Sequence, residues 1–351
     1  MDSSPITARS LQTFCRIRAD EFERAYKDHL SGFRVWEAMD HAEDWLVFPE
    51  NMGENMSLDE TCLSDGEVYT ILSNKDAHGK RGSLAAIVKG TLAETVIAAF
   101  KRIGAESRAK VLEVTMDLAD NMHVIAHECF PNAIVTLDRF HVQKDCYEAM
   151  QHLRVTLKNK ERKADAESRR KHANELRRRH ERRKDPATKD PRGRKPKRLN
   201  EEYVPERLSN GDTRVELLTR CRYFLSLSSD KWSKSQKRRA EILFREYPVL
   251  REAYSVCHSL RMIYNGKGTT RDSARASLSR WYERALAVKG VFEAVVATIR
   301  SREDDVVNFF VDRSTNAAAE SLNSKIKRFR AALHGVADVK FFLFRLSKIF
   351  G

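Results

Sequence analysis

Residues 111–144 constrain the fold more than any other segment, because two secondary-structure periods alternate within them. The first part predicts a strand whose buried face is formed by Leu112, Val114 and Met116. A helical repeat follows, with apolar positions at Met122, Ile125, Ala126 and Cys129. Pro131 ends this helix, and a second apolar run then predicts another strand. The segment therefore indicates a β-α-β unit.

Each of these two strands ends on an acidic residue, Asp117 and Asp138. In an open sheet the carboxyl edge of the strands is where a site is expected. Two neighbouring carboxylates repel each other, so a cation or a shared proton is needed to hold them together. The structural alternative is a polar strand end followed by a helix N-cap.

The preceding residues predict three antiparallel strands, one near Asp59 and the others at residues 67–73 and 83–90. Thr91 and Glu94 form a capping-box pattern at the start of a helix. The resulting order, β-β-β-α-β-α-β, is that of the ribonuclease H-like α/β fold, a mixed sheet with flanking helices. In that order Asp59 lies in the first strand, beside the strand that ends at Asp117.

Basic charge is concentrated in residues 151–200, which hold 20 Lys and Arg against 7 Asp and Glu, or +13 of the chain's net +14. Such a block indicates polyanion binding, and a solvated helix followed by a linker is the alternative. The residues expected to contact DNA here are Arg177, Arg178, Arg179, Arg182, Arg183, Lys184, Arg192, Arg194, Lys195, Lys197 and Arg198.

Helical periodicity dominates the remaining sequence. We expect a helical N-terminal arm at 1–50 whose aromatic residues pack on the main domain. The core would occupy 51–150, a large basic and all-helical insertion 151–309, and the rest of the core 310–351. The aromatic residues of the insertion fit a helical core better than a base-stacking surface.

Near the C-terminus, residues 311–330 predict a helix that begins at a cap, Ser314 or Thr315. One face would carry a polar stripe of Asn316, Glu320, Asn323 and Lys327. The opposite face would carry Ala318, Leu322, Ile326 and Phe329. This helix can pack on a sheet and present Glu320 to it, whereas the alternative is a surface Glu that faces solvent.

The six cysteines lie at least 17 residues apart and form no Cys-x-x-Cys pair. This spacing favours reduced thiols over a structural zinc site. No apolar run approaches the roughly 18 residues of a membrane span. We therefore expect a cytoplasmic protein without a membrane partner.

Four motifs carry a family resemblance: SLDE at 57–60, LDRFHVQK at 137–144, STNAAAESLNSKIK at 314–327 and DVKFFLFRLSKI at 338–349. Together they resemble the DDE transposases of bacterial insertion sequences, of the ISL-three type and its ISAon-like branch. The resemblance extends from about Phe33 to the C-terminus. It implies a ribonuclease H-like core interrupted by a helical insertion, and Mg²⁺-dependent DNA strand cleavage and transfer, with Mn²⁺ as a substitute.

Carried onto this sequence, the resemblance implies the metal-binding catalytic triad Asp59, Asp117 and Glu320. Asp138 stays an alternative second acid or, with His141, a supporting residue, and Asn316 and Asn323 are further supporting candidates. Phosphate contacts are expected from Lys325, Lys327, Arg328 and Arg330. We expect double-stranded DNA as partner and a homodimer or larger assembly on it.

The resemblance departs from the larger members in one respect, because no zinc-binding cysteine pattern precedes Asp59. A separate N-terminal DNA-recognition polypeptide is therefore a possible partner. Two rival functions remain at this stage. A ribonuclease H-like nuclease would release only hydrolysed products, and a transposase-derived DNA-binding regulator would be indifferent to substitution of the acids.

Overall fold

The computed structural model describes residues 1–64, 66–184 and 202–351. The strands are β1 Trp45–Val47, β2 Asn55–Ser64, β3 Glu67–Asn74, β4 Leu84–Lys89, β5 Glu113–Met116 and β6 Ile134–Leu137. The helices up to the basic segment are α1 Ala8–Cys15, α2 Ala19–Ala25, α3 Ala93–Phe100, α4 Ala105–Ala109, α5 Asp120–Cys129 and α6 Arg139–Lys184. The later helices are α7 Arg214–Arg220, α8 Lys234–Glu246, α9 Pro248–Asn265, α10 Arg271–Ala287, α11 Glu293–Ser301, α12 Glu303–Asp312, α13 Ala317–Ala332 and α14 Val339–Phe350.

The chain packs into two compact units. The first comprises Met1–Val142, Gly268–Arg275 and Ile299–Gly351, and the second comprises Gln143–Lys267 and Ala276–Thr298. The first unit holds the sheet, while the described part of the second is helical. Within the described ranges, no helix combines the length and apolar character needed to cross a membrane.

The described strands form one mixed six-stranded sheet in the order β1-β4-β3-β2-β5-β6. The pairs β1-β4, β4-β3 and β3-β2 are antiparallel, whereas β5 pairs parallel to both β2 and β6. The predicted order of three strands, helix, strand, helix and strand is present. The sequence did not predict β1, which adds an edge strand to β4. Three residues are too few to show a period-two pattern, so the surrounding helical periodicity hid it.

Two local predictions were wrong. Leu112 is 52% exposed because it precedes β5, whose residues Glu113 to Met116 are buried on both faces. A parallel strand covered on both sides does not keep a solvated polar face. The capping box of Thr91 and Glu94 also does not form, because α3 begins at Ala93 and Leu92 is its N-cap without a side-chain hydrogen bond.

The core of the first unit lies between α13, α14 and one face of the antiparallel strands. Leu322, Ile326 and Phe329 of α13 pack with Tyr69 and Ile71 of β3 in this cluster. The N-terminal arm joins the same unit through an aromatic cluster of Tyr26, Phe33, Phe341 and Phe344. This contact confirms that aromatic residues of the arm pack on the sheet-bearing unit.

The second unit has a helical core of its own. Trp232, Leu243, Leu250, Leu260 and Trp281 are buried in it. The indole of Trp281 donates a 3.0 Å hydrogen bond to the carbonyl of Val256. The aromatic residues of this segment therefore serve as core, as helical periodicity predicted.

Candidate active site

Asp59 lies in β2, and Asp117 directly follows β5, the strand that pairs parallel with β2. The register of β2 and β5 pairs Asn55 with Glu113 and Ser57 with Thr115. Two residues further along each chain, the same register brings Asp59 level with Asp117. Successive odd positions of a strand point to one face, and neighbouring strands are about 4.8 Å apart. The two carboxylates therefore lie on the same face of the sheet, at the carboxyl end of β5.

The environment of Asp59 disfavours its charged form. The pKa of the Asp59 carboxyl is raised to about 6, chiefly by burial and also by the neighbouring Asp117 carboxylate. The backbone N–H of Glu60, the imidazole of His141 and the amide of Asn323 act in the opposite direction. A bound cation would therefore compensate the negative charge of these two acids.

Helix α13 covers this face of the sheet through two asparagines. Asn316, which is fully buried, accepts hydrogen bonds at Oδ1 from the hydroxyls of Ser57 and Thr115. Seven residues later, Asn323 donates from Nδ2 to Oδ2 of Asp59 over 2.6 Å. The predicted cap at Ser314 or Thr315 was wrong, because Asn316 occupies the N-cap position of α13. Its side chain forms hydrogen bonds with residues of the sheet and none with the helix backbone.

Glu320 lies on α13 between these two asparagines and is exposed. At 100° per residue, Glu320 is about 60° around the helix from Asn323, on the side away from the apolar ridge of Leu322. That ridge packs towards β3 and β4, whereas Asn316 contacts both β2 and β5. Glu320 therefore projects from the flank of α13 that faces the Asp117 side of the sheet.

The three acids do not converge on one point. In the described ranges, one group of three His, Cys, Asp or Glu side chains has all its ligand atoms within 4.8 Å of one another, and this group is His123, His127 and Asp305. The first two residues belong to α5 and the third to α12. The assignment of Asp59, Asp117 and Glu320 as metal ligands stays a prediction.

Asp138 and His141 flank the acid pair from the next strand. Asp138 follows β6, is 3% exposed and accepts at Oδ1 from the backbone N–H of Phe140 over 3.4 Å. Its Oδ2 lies 3.3 Å from Nδ1 of His141. Hydrogen bonding to Asp138 raises the pKa of His141 against the effect of burial, and the carboxylates of Asp117 and Asp59 raise it further. The carboxylates around His141 thus favour the cationic form of its imidazole.

The cations expected to contact DNA fall into two groups. Arg177, Arg178, Arg179 and Arg182 are exposed on α6, which ends with Arg183 and Lys184. The basic residues at 192, 194, 195, 197 and 198 lie outside the described residues. On α13, Lys327 and Arg328 are exposed, whereas Lys325 donates to the carbonyl of Gly79 and Arg330 to that of Cys62.

Some residues at this site were not singled out from the sequence. Ser57 and Thr115 are buried hydroxyls that fix Asn316, and the short alternating strands gave no sign of their partner. Arg302 donates to the carbonyls of Leu118 and Ala119, directly after Asp117. The spacing of His123 and His127 on one helix face was a usable signal, whereas Asp305 is too distant in sequence for any local pattern to reveal it.

The mixed sheet carries two acidic residues at its parallel strands, and the chain also has a dense basic segment. Together these features indicate an enzyme that acts on nucleic acid. The family model for transposases of the ISL3 (ISL-three) type, described as "Transposase", matches residues 56–346. The chain belongs to this family and is a DNA transposase, as the motifs predicted. Family membership implies DNA binding and polynucleotidyl transfer, generally with a divalent metal. Searches of curated proteins and of solved structures gave no match.

Proposed function

We propose that this transposase cleaves element ends and joins them to target DNA in a Mg²⁺-dependent reaction, with Asp59, Asp117 and Glu320 as its catalytic acids. The observation that carries the proposal is the level placement of Asp59 and Asp117 on parallel strands beneath α13. The proposed fold is ribonuclease H-like. The strand order and the parallel β2-β5-β6 part of the sheet support it.

The donor set fits a hard divalent cation. Carboxylate oxygens are the protein ligands that Mg²⁺ prefers, and Mg²⁺ keeps several waters, so three acids suffice. The raised pKa of Asp59 supports this fit, because burial disfavours the charged carboxylate and a bound cation would compensate that charge. When bound, such metal ions activate a water or 3′-hydroxyl nucleophile and stabilise the leaving oxygen.

The chain's own residues would orient the acids. Asn323 holds one oxygen of Asp59, while the backbone N–H of Glu60 holds the other over 2.8 Å. These two donors restrict the rotation of the carboxylate and favour its ionised form. Asn316 anchors the start of α13 on β2 and β5, which sets the position from which Glu320 projects.

His141 would act on the acids through charge. Its Nδ1 atom faces Asp138, and its positive form lowers the pKa of Asp59. Asp138 therefore caps α6 and contacts His141. It also lies one strand further from Asp59 than Asp117 does. We assign Asp138 and His141 positioning roles and Asp117 the direct metal contact.

DNA would be held by the exposed arginines of α6 and by Lys327 and Arg328 of α13. Two of these cations belong to the helix that carries Glu320, so phosphates bound there would lie close to the catalytic face. We also propose assembly as a homodimer or larger complex on DNA.

The test uses a duplex that ends in the inverted repeats flanking the reading frame in its genome, with a supercoiled plasmid as target. We expect wild-type protein with Mg²⁺ or Mn²⁺ to cleave the repeat end and to join its 3′-hydroxyl to the plasmid, and EDTA to stop both steps. Hydrolysis without joined product would identify a nuclease, and DNA binding without cleavage would identify a regulator. Either result would overturn the proposal.

A further inference from the structure

We propose that His123, His127 and Asp305 form a second metal site, which binds a transition-metal ion of the Zn²⁺ class and is separate from the catalytic acids. All three ligand atoms lie within 4.8 Å of one another. The proposal goes beyond the proposed function, because none of these residues takes part in the reaction described above.

Helical spacing creates half of this site. His123 and His127 are four residues apart on α5, so their side chains project from the same face. Their ring centroids are 4.3 Å apart. Two imidazoles at this spacing on a helix are a known way of presenting nitrogen ligands to zinc.

Asp305 of α12 completes the site from another element. Its Oδ2 atom lies 3.1 Å from Nδ1 of His123. In a tetrahedral zinc site with bonds of about 2.0–2.1 Å, ligand atoms are separated by about 3.3 Å. The observed separation therefore already matches one edge of the coordination tetrahedron.

The contact between His123 and Asp305 is close but poorly aligned for a hydrogen bond. Nδ1 of His123 is buried and makes no hydrogen bond of acceptable geometry to any described residue, despite its closeness to Asp305. The oblique approach leaves a buried nitrogen unsatisfied, which costs free energy unless another group binds it. A metal ion between the two atoms would satisfy both.

The types of ligand atom indicate which metal ion this site would bind. Imidazole nitrogens suit Zn²⁺, Co²⁺, Ni²⁺ and Cu²⁺, whereas Mg²⁺ prefers an all-oxygen environment. Two histidines and one carboxylate leave a fourth position for water. Arg302 is the nearby cation that opposes binding. Its guanidinium is already engaged by Asp120 and by the carbonyls of Leu118 and Ala119.

Metal binding here would link two segments that lead to the catalytic acids. α5 begins three residues after Asp117, and α12 is followed by α13, which carries Glu320. An ion held by both α5 and α12 would cross-link these helices. Because it binds only the folded arrangement, it would also raise the melting temperature.

The experiment titrates Zn²⁺ into the full chain in the presence of millimolar Mg²⁺ and follows binding by calorimetry. The main variant is His127→Ala, since His127 is exposed and its loss leaves the core intact. The matched control is His152→Ala, another exposed histidine on a helix. We expect one Zn²⁺ per wild-type chain, at least tenfold weaker binding in His127→Ala, and no change in His152→Ala.

Two further measurements separate this site from the catalytic acids. Co²⁺ should give visible absorption bands in wild type and in Asp59→Asn, and these bands should vanish in His127→Ala. Equal Zn²⁺ affinity in His127→Ala and wild type, or no stoichiometric binding to wild type, would overturn the proposal. Loss of the Co²⁺ bands in Asp59→Asn would also overturn it, since the ion would then occupy the acid pair.

Discussion

The side-chain amide of Asn323 donates a 2.6 Å hydrogen bond from Nδ2 to Oδ2 of Asp59. This bond joins α13 to the strand that carries the first acid, across 264 residues of sequence. It lowers the pKa of a carboxyl group that burial raises. The contact therefore links the position of α13 to the charge state of Asp59.

Replacing Asn323 by Ala should slow strand cleavage ten- to a hundredfold, which is the usual cost of losing a group that supports a metal ligand. Asp59 would become harder to ionise, so the acidic limb of the rate profile should move to higher pH. DNA affinity should stay unchanged. Ser324→Ala, at an exposed position on the same helix, is the control. A slower variant with an unshifted pH profile would mean that the amide acts only on stability.

The raised pKa of Asp59 predicts how stability depends on pH without metal. The folded chain binds this proton more tightly than the unfolded chain, because the pKa is about 6 against the ordinary value of 3.8. Stability is therefore lost as pH rises from about 4 through 6. A shift of two units corresponds to about 3 kcal/mol.

In EDTA, Asp59→Asn should melt about 5 °C higher than wild type at pH 7.5, and this difference should shrink to about a third at pH 4.5. The pKa of His141 is raised from its ordinary value of 6.5, and comparing the two proteins cancels most of its contribution. Adding Mg²⁺ or Mn²⁺ should raise the wild-type melting temperature at pH 7.5 and leave the variant nearly unchanged. A difference between the two proteins that does not vary with pH would contradict this account.

Strand order made part of this site predictable. The sequence placed Asp117 beside the strand of Asp59 and put Asp138 one strand further out, and the sheet has this order. The prediction succeeded because a helical repeat between two short apolar runs indicates a β-α-β unit, whose two strands are parallel. β1 was missed because three residues show no period. The exposure of Leu112 was missed because strand limits are uncertain by a residue or two.

Partners across the sheet were beyond sequence reasoning. Helical spacing predicted that Asn316, Glu320 and Asn323 share a face of α13. The partners of the two asparagines depend on how α13 is placed along the strands, which tertiary packing decides. Thr115 and Asn316 are 201 residues apart, and no local pattern connects them.

The next prediction separates the two candidate second acids. Asp117→Asn should reduce cleavage at least about a thousandfold, as for loss of a group that acts in the transition state. Asp138→Asn should cost only about ten- to a hundredfold, because Asp138 caps α6 and contacts His141. Single-turnover cleavage of both variants in Mg²⁺ measures this. A dead Asp138 variant beside an active Asp117 variant would reverse the assignment.

The exposed arginines of α6 should set the salt dependence of DNA binding. Replacing Arg177, Arg178, Arg179 and Arg182 by Gln should weaken binding and flatten the plot of log affinity against log salt. Each lost phosphate contact lowers the slope by about 0.9. Replacing a similar number of cations on α8, such as Lys234, Lys237 and Arg238, is the control. An unchanged slope would show that this part of α6 is only a solvated helix.

Substitution of Glu320 tests the proposed catalytic triad most directly, because Glu320 is exposed and lies apart from the two aspartates in the structure. The measurement is single-turnover cleavage of the inverted-repeat duplex in Mg²⁺ by Glu320→Gln, with Glu252→Gln as an exposed helical control. We predict that Glu320→Gln loses at least about a thousandfold in rate while its DNA affinity stays near wild type, and that the control is unaffected. Cleavage by Glu320→Gln at the wild-type rate would contradict the proposed triad.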